Sequence, residues 1–259
     1  VPQNRERLFL LGCRADLPLP AYPQPPDSTH GSFPRTPTVW EAIADLPDIE
    51  QYPELWHQDG CPATYGEPGS TYAAVMRGQQ RWEEDWAYER TWNPAWLTAS
   101  GRTRHSAASI QRFRATPVGQ VEPISRFLRL DPNGICNTLR AGTPSNRGAF
   151  TSPRPIHPFQ PRCITVREAA RLHSFPDWFG FHGTKWHGFR QIGNSVPPLL
   201  AKAIAQEIIR VLAVPALTHP GRLAAGNLRT LHWTMTQAAQ CFGVSGRTIA
   251  PRTRKLANM

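Results

Sequence analysis

Two consecutive prolines, Pro197 and Pro198, stand between Gly193-Asn194-Ser195-Val196 and a run of helical spacing, and no other feature constrains the fold so tightly. Residues before proline avoid the α region, so Val196-Pro197-Pro198 stops whatever precedes it. Proline is welcome in the first turn of a helix, where its missing N–H would be unpaired in any case. From Leu199 the apolar residues Leu200, Ala203, Ile204, Ile208 and Val211 recur at helical spacing and predict one buried face. The start of that helix points at the Gln191–Ser195 loop, and its free N–H groups and partial positive charge suit an anion or a polar ligand. A capped core helix behind a tight turn has the same pattern, and local features leave both readings open.

At 259 residues the chain is long enough for one large or two small domains. It has no run of about 18 or more apolar residues, so no membrane span is expected. The opening VPQNRERLFLLG lacks the apolar centre of a signal peptide. Cys13, Cys61, Cys136, Cys163 and Cys241 are scattered, odd in number and without a CxxC pair. That pattern argues for reduced thiols in a cytoplasmic protein and against a disulfide framework or a zinc finger. His182 and His187 read as surface or loop residues, and no metal site is expected.

A formal net charge of +10 and a pI near 10.0 favour a polyanionic partner. Acids predominate from Glu41 to Glu89, in WEAIADLPDIEQYPELW and RWEEDWAYE. From Arg102 to Arg162 the sign reverses. Arg102, Arg104, Arg112, Arg114, Arg126, Arg129, Arg140, Arg147, Arg154 and Arg162 face only Glu122 and Asp131, with no lysine among them. Arginine suits bidentate contact with phosphate and guanine edges, and Phe113, Phe127 and Phe150 are interleaved. This stretch is the candidate nucleic-acid surface, against the plainer reading of a solvated face.

Arg7-Leu8-Phe9-Leu10-Leu11-Gly12 reads as a short buried strand closed by glycine. LPLPAYPQPPDSTHGSFPRTP is too rich in proline for regular structure and reads as an extended connector. Val39 to Leu46 predicts a short helix ending at Pro47. Residues 50–130 give broken signals, and tryptophans at 56, 82, 86, 92 and 96 suggest an irregular domain with its own small core. Thr165-Val166-Arg167-Glu168 has capping-box spacing and predicts a helix to about His173, stopped by Phe175-Pro176.

Three stretches, in order, resemble the C-terminal motifs of the DNA (cytosine-5) methyltransferases. PQNRER, Pro2 to Arg7, is similar to the family's Gln-x-Arg-x-Arg element. PRCITVREAARLHSFPDWF, Pro161 to Phe179, is similar to its arginine-containing element followed by Phe-Pro-Asp. RQIGNSVPPLLAKAIA, Arg190 to Ala205, is similar to its final Gly-Asn-Ser/Ala-Val-Pro-Pro element. The long insert between the first two has the size of a target-recognition domain, and Thr138-Leu139 in CNTLRAGT matches a short signature of such domains. The resemblance implies a target cytosine rotated out of duplex DNA, attack by a cysteine thiolate at C6, and methylation of C5 by S-adenosylmethionine.

Residue by residue, it assigns Arg7, with Arg5 on the same strand face, to the target-cytosine pocket. Asn194 and Ser195 would line the S-adenosylmethionine site, with Gly193 permitting the turn and Gln3, Gln191 and Arg167 structural. Arg167 would orient the recognition domain, its plainer reading being a solvated first-turn residue. Arg102, Arg104, Arg112, Arg114, Thr138, Leu139 and Arg140 would contact DNA. The implied architecture is α/β, a partial Rossmann-like methyltransferase lobe plus a small irregular recognition domain. Its segments are 1–20 (catalytic-lobe start), 21–49 (proline-rich connector), 50–155 (recognition), 156–212 (closing elements) and 213–259 (basic tail).

The family's Pro-Cys nucleophile, its Glu-Asn-Val and its FxGxG cofactor loop do not occur in the 259 residues. With Val1 falling inside the first motif, the expectation is a C-terminal portion, either a truncated sequence or one half of a split enzyme, inactive alone. Its implied partners are double-stranded DNA and an N-terminal portion carrying the absent motifs and completing the cofactor pocket. The implied location is the bacterial cytoplasm, at the nucleoid. In the tail, MTQAAQCFGVSGRTI (Met235 to Ile249) fits a helix-turn-helix with Ala239, Val244 and Ile249 as core positions and Gly243 at the turn; Arg247, Arg252, Arg254 and Lys255 would face DNA, although Pro251 opposes a second helix. The rival reading is a non-catalytic, sequence-specific DNA-binding protein.

Overall fold

The computed structural model describes residues 1–24, 35–82, 85, 87–142, 154–215 and 221–245. The chain divides into two compact units, Val1–Ala225 and Gly226–Met259. In the first, Thr38 opens helix α1 (Val39–Ile43) with a capping box: its hydroxyl accepts from Glu41 N, and the Glu41 carboxylate accepts from Thr38 N. The helix stops short of the expected Leu46, whose N–H turns back to Ile43 O just ahead of Pro47. Helix α2 (Thr71–Met76) starts at Ser70, and α3 (Ala107–Ala115) at Ser106, each hydroxyl accepting from the N–H three residues on. Strand β1 (Cys61–Pro62) pairs antiparallel with β3 (Trp96–Leu97), and β2 (Glu89–Thr91) pairs parallel with β4 (Arg222–Ala224). Among the described residues, strand pairing otherwise consists of isolated bridges.

Helix α4 (Val166–Leu172) begins with the expected Thr165–Glu168 capping box. It ends in a Schellman arrangement: Ser174 takes the left-handed conformation (φ 64°), Phe175 N donates to Ala170 O, and Ser174 N donates to Arg171 O. All seven residues of α4 are buried, Arg167, Glu168 and Arg171 among them. Helix α5 (Lys185–Asn194) packs on α4 through Phe189 and Ile192, and α6 (Pro198–Leu212) follows.

The main core gathers Val39 and Ile43 of α1, Tyr72 and Met76 of α2, Leu130, Cys136 and Leu139, the apolar residues of α4, and Phe189 and Ile192 of α5. Residues on either side of position 156 therefore share one core. A smaller cluster of Ile49, Leu55, Cys61 and Leu97 closes the β1–β3 pair. The tryptophans expected there are not among its residues: Trp56 and Trp96 are 36 % and 39 % exposed, Trp82 packs against the main core, and Trp86 is outside the described residues.

Three expectations are corrected. Residues Arg7–Gly12 form no strand, and Leu8 and Leu10 are 88 % and 87 % exposed, because no described segment supplies a neighbouring ladder. The bridge in this region lies earlier, Gln3 pairing parallel with Cys136. Gln191 to Asn194 are the last turn of α5 rather than a loop. Helix α6 begins at Pro198 as its prolines dictate, but none of its residues is fully buried, and Ile208 and Leu212 remain exposed.

In the second unit, α7 (Met235–Cys241) is opened by a Thr234–Gln237 capping box, and Gly243 makes a left-handed turn with φ 62°. Val244, expected in a core, is 52 % exposed. Ile249, Pro251 and the basic residues of the expected second helix lie outside the described residues.

Candidate cofactor and nucleic-acid site

The N-terminal segment and the turn after α5 meet through Arg5. Asn4 N donates to Cys136 O and Cys136 N to Pro2 O, which lays residues 2–4 beside 136–139. Arg5 Nη1 then donates to Leu139 O at 3.0 Å, and Nη2 donates to Gly193 O at 2.9 Å and Ser195 O at 3.4 Å. Burial, and Arg7 beside it, lower the Arg5 guanidinium from its ordinary value. Arg7 itself is exposed, its guanidinium donating to the neighbouring Glu6 O.

Gln3 is the second tie, almost fully buried. Its Oε1 accepts from Leu139 N at 3.4 Å, while Nε2 donates to His173 Nδ1 at 3.0 Å and Leu172 O at 3.4 Å. An amide NH₂ can only donate, so Nδ1 is the acceptor and the proton sits on Nε2, which donates to Ser195 O at 3.3 Å. Burial keeps the imidazole neutral, pulling its pKa down to about 4 despite the bond to Ser195. His173 was not legible as a site residue; the signal was its place at the C-terminus of the capping-box helix.

Gly193 is required by close approach rather than by turn conformation. A Cβ there would meet Ala141 N at 2.2 Å and the Arg140 carbonyl carbon at 2.5 Å, both backbone atoms that cannot swing aside. The Ser195 hydroxyl donates to Ile192 O at 2.7 Å, and the Asn194 side chain is exposed. Gln191 Oε1 accepts from His182 N at 2.9 Å.

Arg167 is buried, not solvated. It donates to Thr98 Oγ1 at 2.6 Å, Phe179 O at 2.9 Å and Pro176 O at 3.3 Å, joining α4 to the Phe175–Phe179 turn and the segment after β3. One turn on, Arg171 spends all five guanidinium N–H groups. Nε and Nη2 hold Asp177, Nη1 and Nη2 hold Asp45, and Nη1 also reaches Ala42 O, at 2.7–3.1 Å. At the other end of α4, Arg162 grips Glu168 bidentately at 2.7 and 2.9 Å. Burial alone would raise the Glu168 carboxyl, but Arg162 and the Thr165 N–H bring it down to about 2.

The arginine-rich stretch divides the same way. Arg102 pairs with Glu50, and Arg112 with Glu122 at 3.2 Å. Arg129 donates to Phe113, Arg114, Thr116 and Pro158 carbonyls, satisfying the end of α3. Arg104, Arg114, Arg126 and Arg140 are exposed without an ion pair among the described residues, and Arg147 lies outside them. Thr138 Oγ1 donates to Asn4 O at 2.7 Å. Leu139, expected to face DNA, is only 2 % exposed and packs in the main core. Among the described residues no cluster could hold a metal ion, and no helix is long and apolar enough to cross a membrane.

All three motif-like segments thus converge on the C-terminal ends of α4 and α5. Residues 1–210 match the C-5 cytosine-specific DNA methylase family, and the chain belongs to that family. It is 56 % identical over 254 residues to the type II methyltransferase M.XorII of Xanthomonas oryzae pv. oryzae, which covers 98 % of this chain and 58 % of that protein. To the type II methyltransferase M.DdeI of Desulfomicrobium norvegicum it is 32 % identical over 233 residues, 80 % of this chain and 51 % of that one. A crystal structure of an E. coli prophage-encoded DNA modification methyltransferase superposes with a TM-score of 0.53 at 34 % identity, over 69 % of this chain and 48 % of the other. The fold is consistent with that of a methyltransferase, and the chain spans little more than half the length of the curated relatives it matches.

Proposed function

We propose that this chain supplies target recognition and the closing elements of an S-adenosylmethionine-dependent DNA cytosine-5 methyltransferase. The observation that carries the reading is Arg5 joined to Gly193 O and Ser195 O, which brings the first and last motifs into one wall across nearly the whole chain. The Pro-Cys nucleophile and Glu-Asn-Val come from an N-terminal portion, joined or separate, that packs on the open face of α6 and completes a partial α/β lobe. The chain alone is inactive.

Within the wall, Arg7 is the exposed cation available to the target cytosine, and Arg5 is the brace behind it. This departs from an equal pairing of the two, since Arg5 is committed to carbonyls. The residues present fit one end of the cofactor: Asn194 offers an exposed carboxamide, donor and acceptor together, beside the exposed apolar Val196. S-adenosylmethionine supplies the methyl group when bound; Asn194 and Ser195 hold its amino-acid end. Residues 50–155 carry recognition of double-stranded DNA, with the exposed arginines as contacts, and the protein works in the bacterial cytoplasm on nucleoid DNA. Calorimetric titration of S-adenosylmethionine tests this. A mixture with a polypeptide carrying the absent motifs should bind it, and Asn194→Ala should weaken that binding severalfold. Equal binding by wild type and variant would remove Asn194 from the site.

A further inference from the structure

A cleft of about 680 Å³ lies at the N-terminal end of α4, the opposite end from His173, lined by Trp56, His57, Arg102, Arg104, His105 and Arg162 among others. Its charge is unevenly committed. Arg162 is matched by Glu168 and Arg102 by Glu50. His105 is neutral, lowered by burial and by Lys185, and its Nε2 accepts from Cys163 N. Arg104 is exposed, 5.6 Å from the centroid of the Trp56 ring, and has no carboxylate partner among the described residues.

The ledge that carries Arg104 is held from three directions. Arg102 N donates to Leu55 O at 2.7 Å, and its guanidinium lies over Trp56 at 4.0 Å. Lys185 of α5 donates to Arg102 O and to Thr103 Oγ1. With the backbone held, binding has to order only the Arg104 side chain and not the loop that carries it. Gln160 and Thr103 are occupied, Gln160 donating to Asp48 Oδ1 and accepting from Arg162 Nε and Thr103 Oγ1 accepting from Lys185, while the His57 ring is exposed. Groups already spent on internal bonds cannot read base edges. What remains is one exposed cation and one exposed imidazole beside a flat apolar wall, the chemistry of a contact that positions a nucleic-acid backbone without reading sequence.

We propose that this cleft is a backbone-phosphate site for duplex DNA, with Arg104 as the contacting cation, Trp56 as the wall and Arg102 as their brace. It rests on the DNA-directed reading above and deepens it, because it separates Arg104 from Arg102. The test is fluorescence anisotropy of the full chain with two duplexes of unrelated sequence, across a series of NaCl concentrations. Arg104→Gln should weaken both complexes equally, about fivefold, and lower the slope of log K against log salt by about one. Arg104→Lys should keep the slope. An unchanged slope in Arg104→Gln overturns the cleft while leaving the DNA reading intact, and so does a loss confined to one duplex. Failure of the wild-type chain to bind either duplex overturns both.

Discussion

Helix α4 and the 102–140 stretch are both rich in arginine, yet they use it in opposite ways. Around α4, Arg162, Arg167 and Arg171 are buried; Arg162 meets Glu168 of the helix itself, while Arg167 and Arg171 also meet acceptors far away in sequence, Thr98 and Asp45. In 102–140, Arg102, Arg112 and Arg129 are held internally, while Arg104, Arg114, Arg126 and Arg140 stay exposed. A charge count therefore overstates the surface available to a polyanion. What sorts the two groups is the presence of a carboxylate or carbonyl set at the right place in the fold, which sequence proximity does not reveal.

The largest effect expected from this contrast is at Arg171. Arg171→Met takes from the buried Asp45 and Asp177 all their short guanidinium bonds and leaves only Arg77 at 3.9 Å and Arg167 at 3.8 Å, a loss of about 3 kcal/mol, measurable by urea denaturation; a loss below about 1 kcal/mol would mean that the network is not buried as described. Gly193→Ala should cost about 1–3 kcal/mol, since the added methyl meets backbone it cannot displace. Gly12→Ala, with nothing within 4 Å, should be silent in the same assay.

The pH dependence sharpens the buried side of the comparison. Glu168 has a folded pKa of about 2 against an ordinary 4.5, so its stabilisation is present above 4.5 and is lost as pH falls toward 2. His173, about 4 against 6.5, contributes stability above 6.5 that is lost as pH falls through 4. Stability should decline on acidification from about pH 6.5, and His173→Gln should flatten the 6.5-to-4 portion of the profile relative to wild type. Equal slopes in the two proteins would contradict a buried neutral His173. The smallest stability effect belongs to the exposed side: Arg114→Gln and Arg140→Gln should each stay within about 0.5 kcal/mol while weakening duplex binding in an anisotropy titration.

The local elements were legible because their signals are local. The Thr165–Glu168 box fixed the start of α4, and Pro197-Pro198 fixed the start of α6. Gly193 stood out, although the reason proved to be the Arg140–Ala141 backbone and not the turn. The link from Gln3 to His173 spans 170 residues, and that from Arg171 to Asp45 spans 126; no spacing rule reaches so far. The Arg7–Gly12 strand failed for a related reason, since β pairing needs a neighbour that the described residues do not provide. Helix α6 shows the converse: its apolar spacing was readable, but what covers that face is not among the described elements.

Methyl transfer from labelled S-adenosylmethionine to duplex DNA tests the central claim most directly, with this chain assayed alone and mixed with a polypeptide bearing Pro-Cys and Glu-Asn-Val. Label should enter cytosine C5 only in the mixture, and Arg5→Met, which unties the Gly193–Ser195 wall, should sharply reduce it. Incorporation by the chain alone, or a mixture indifferent to Arg5, would contradict the account.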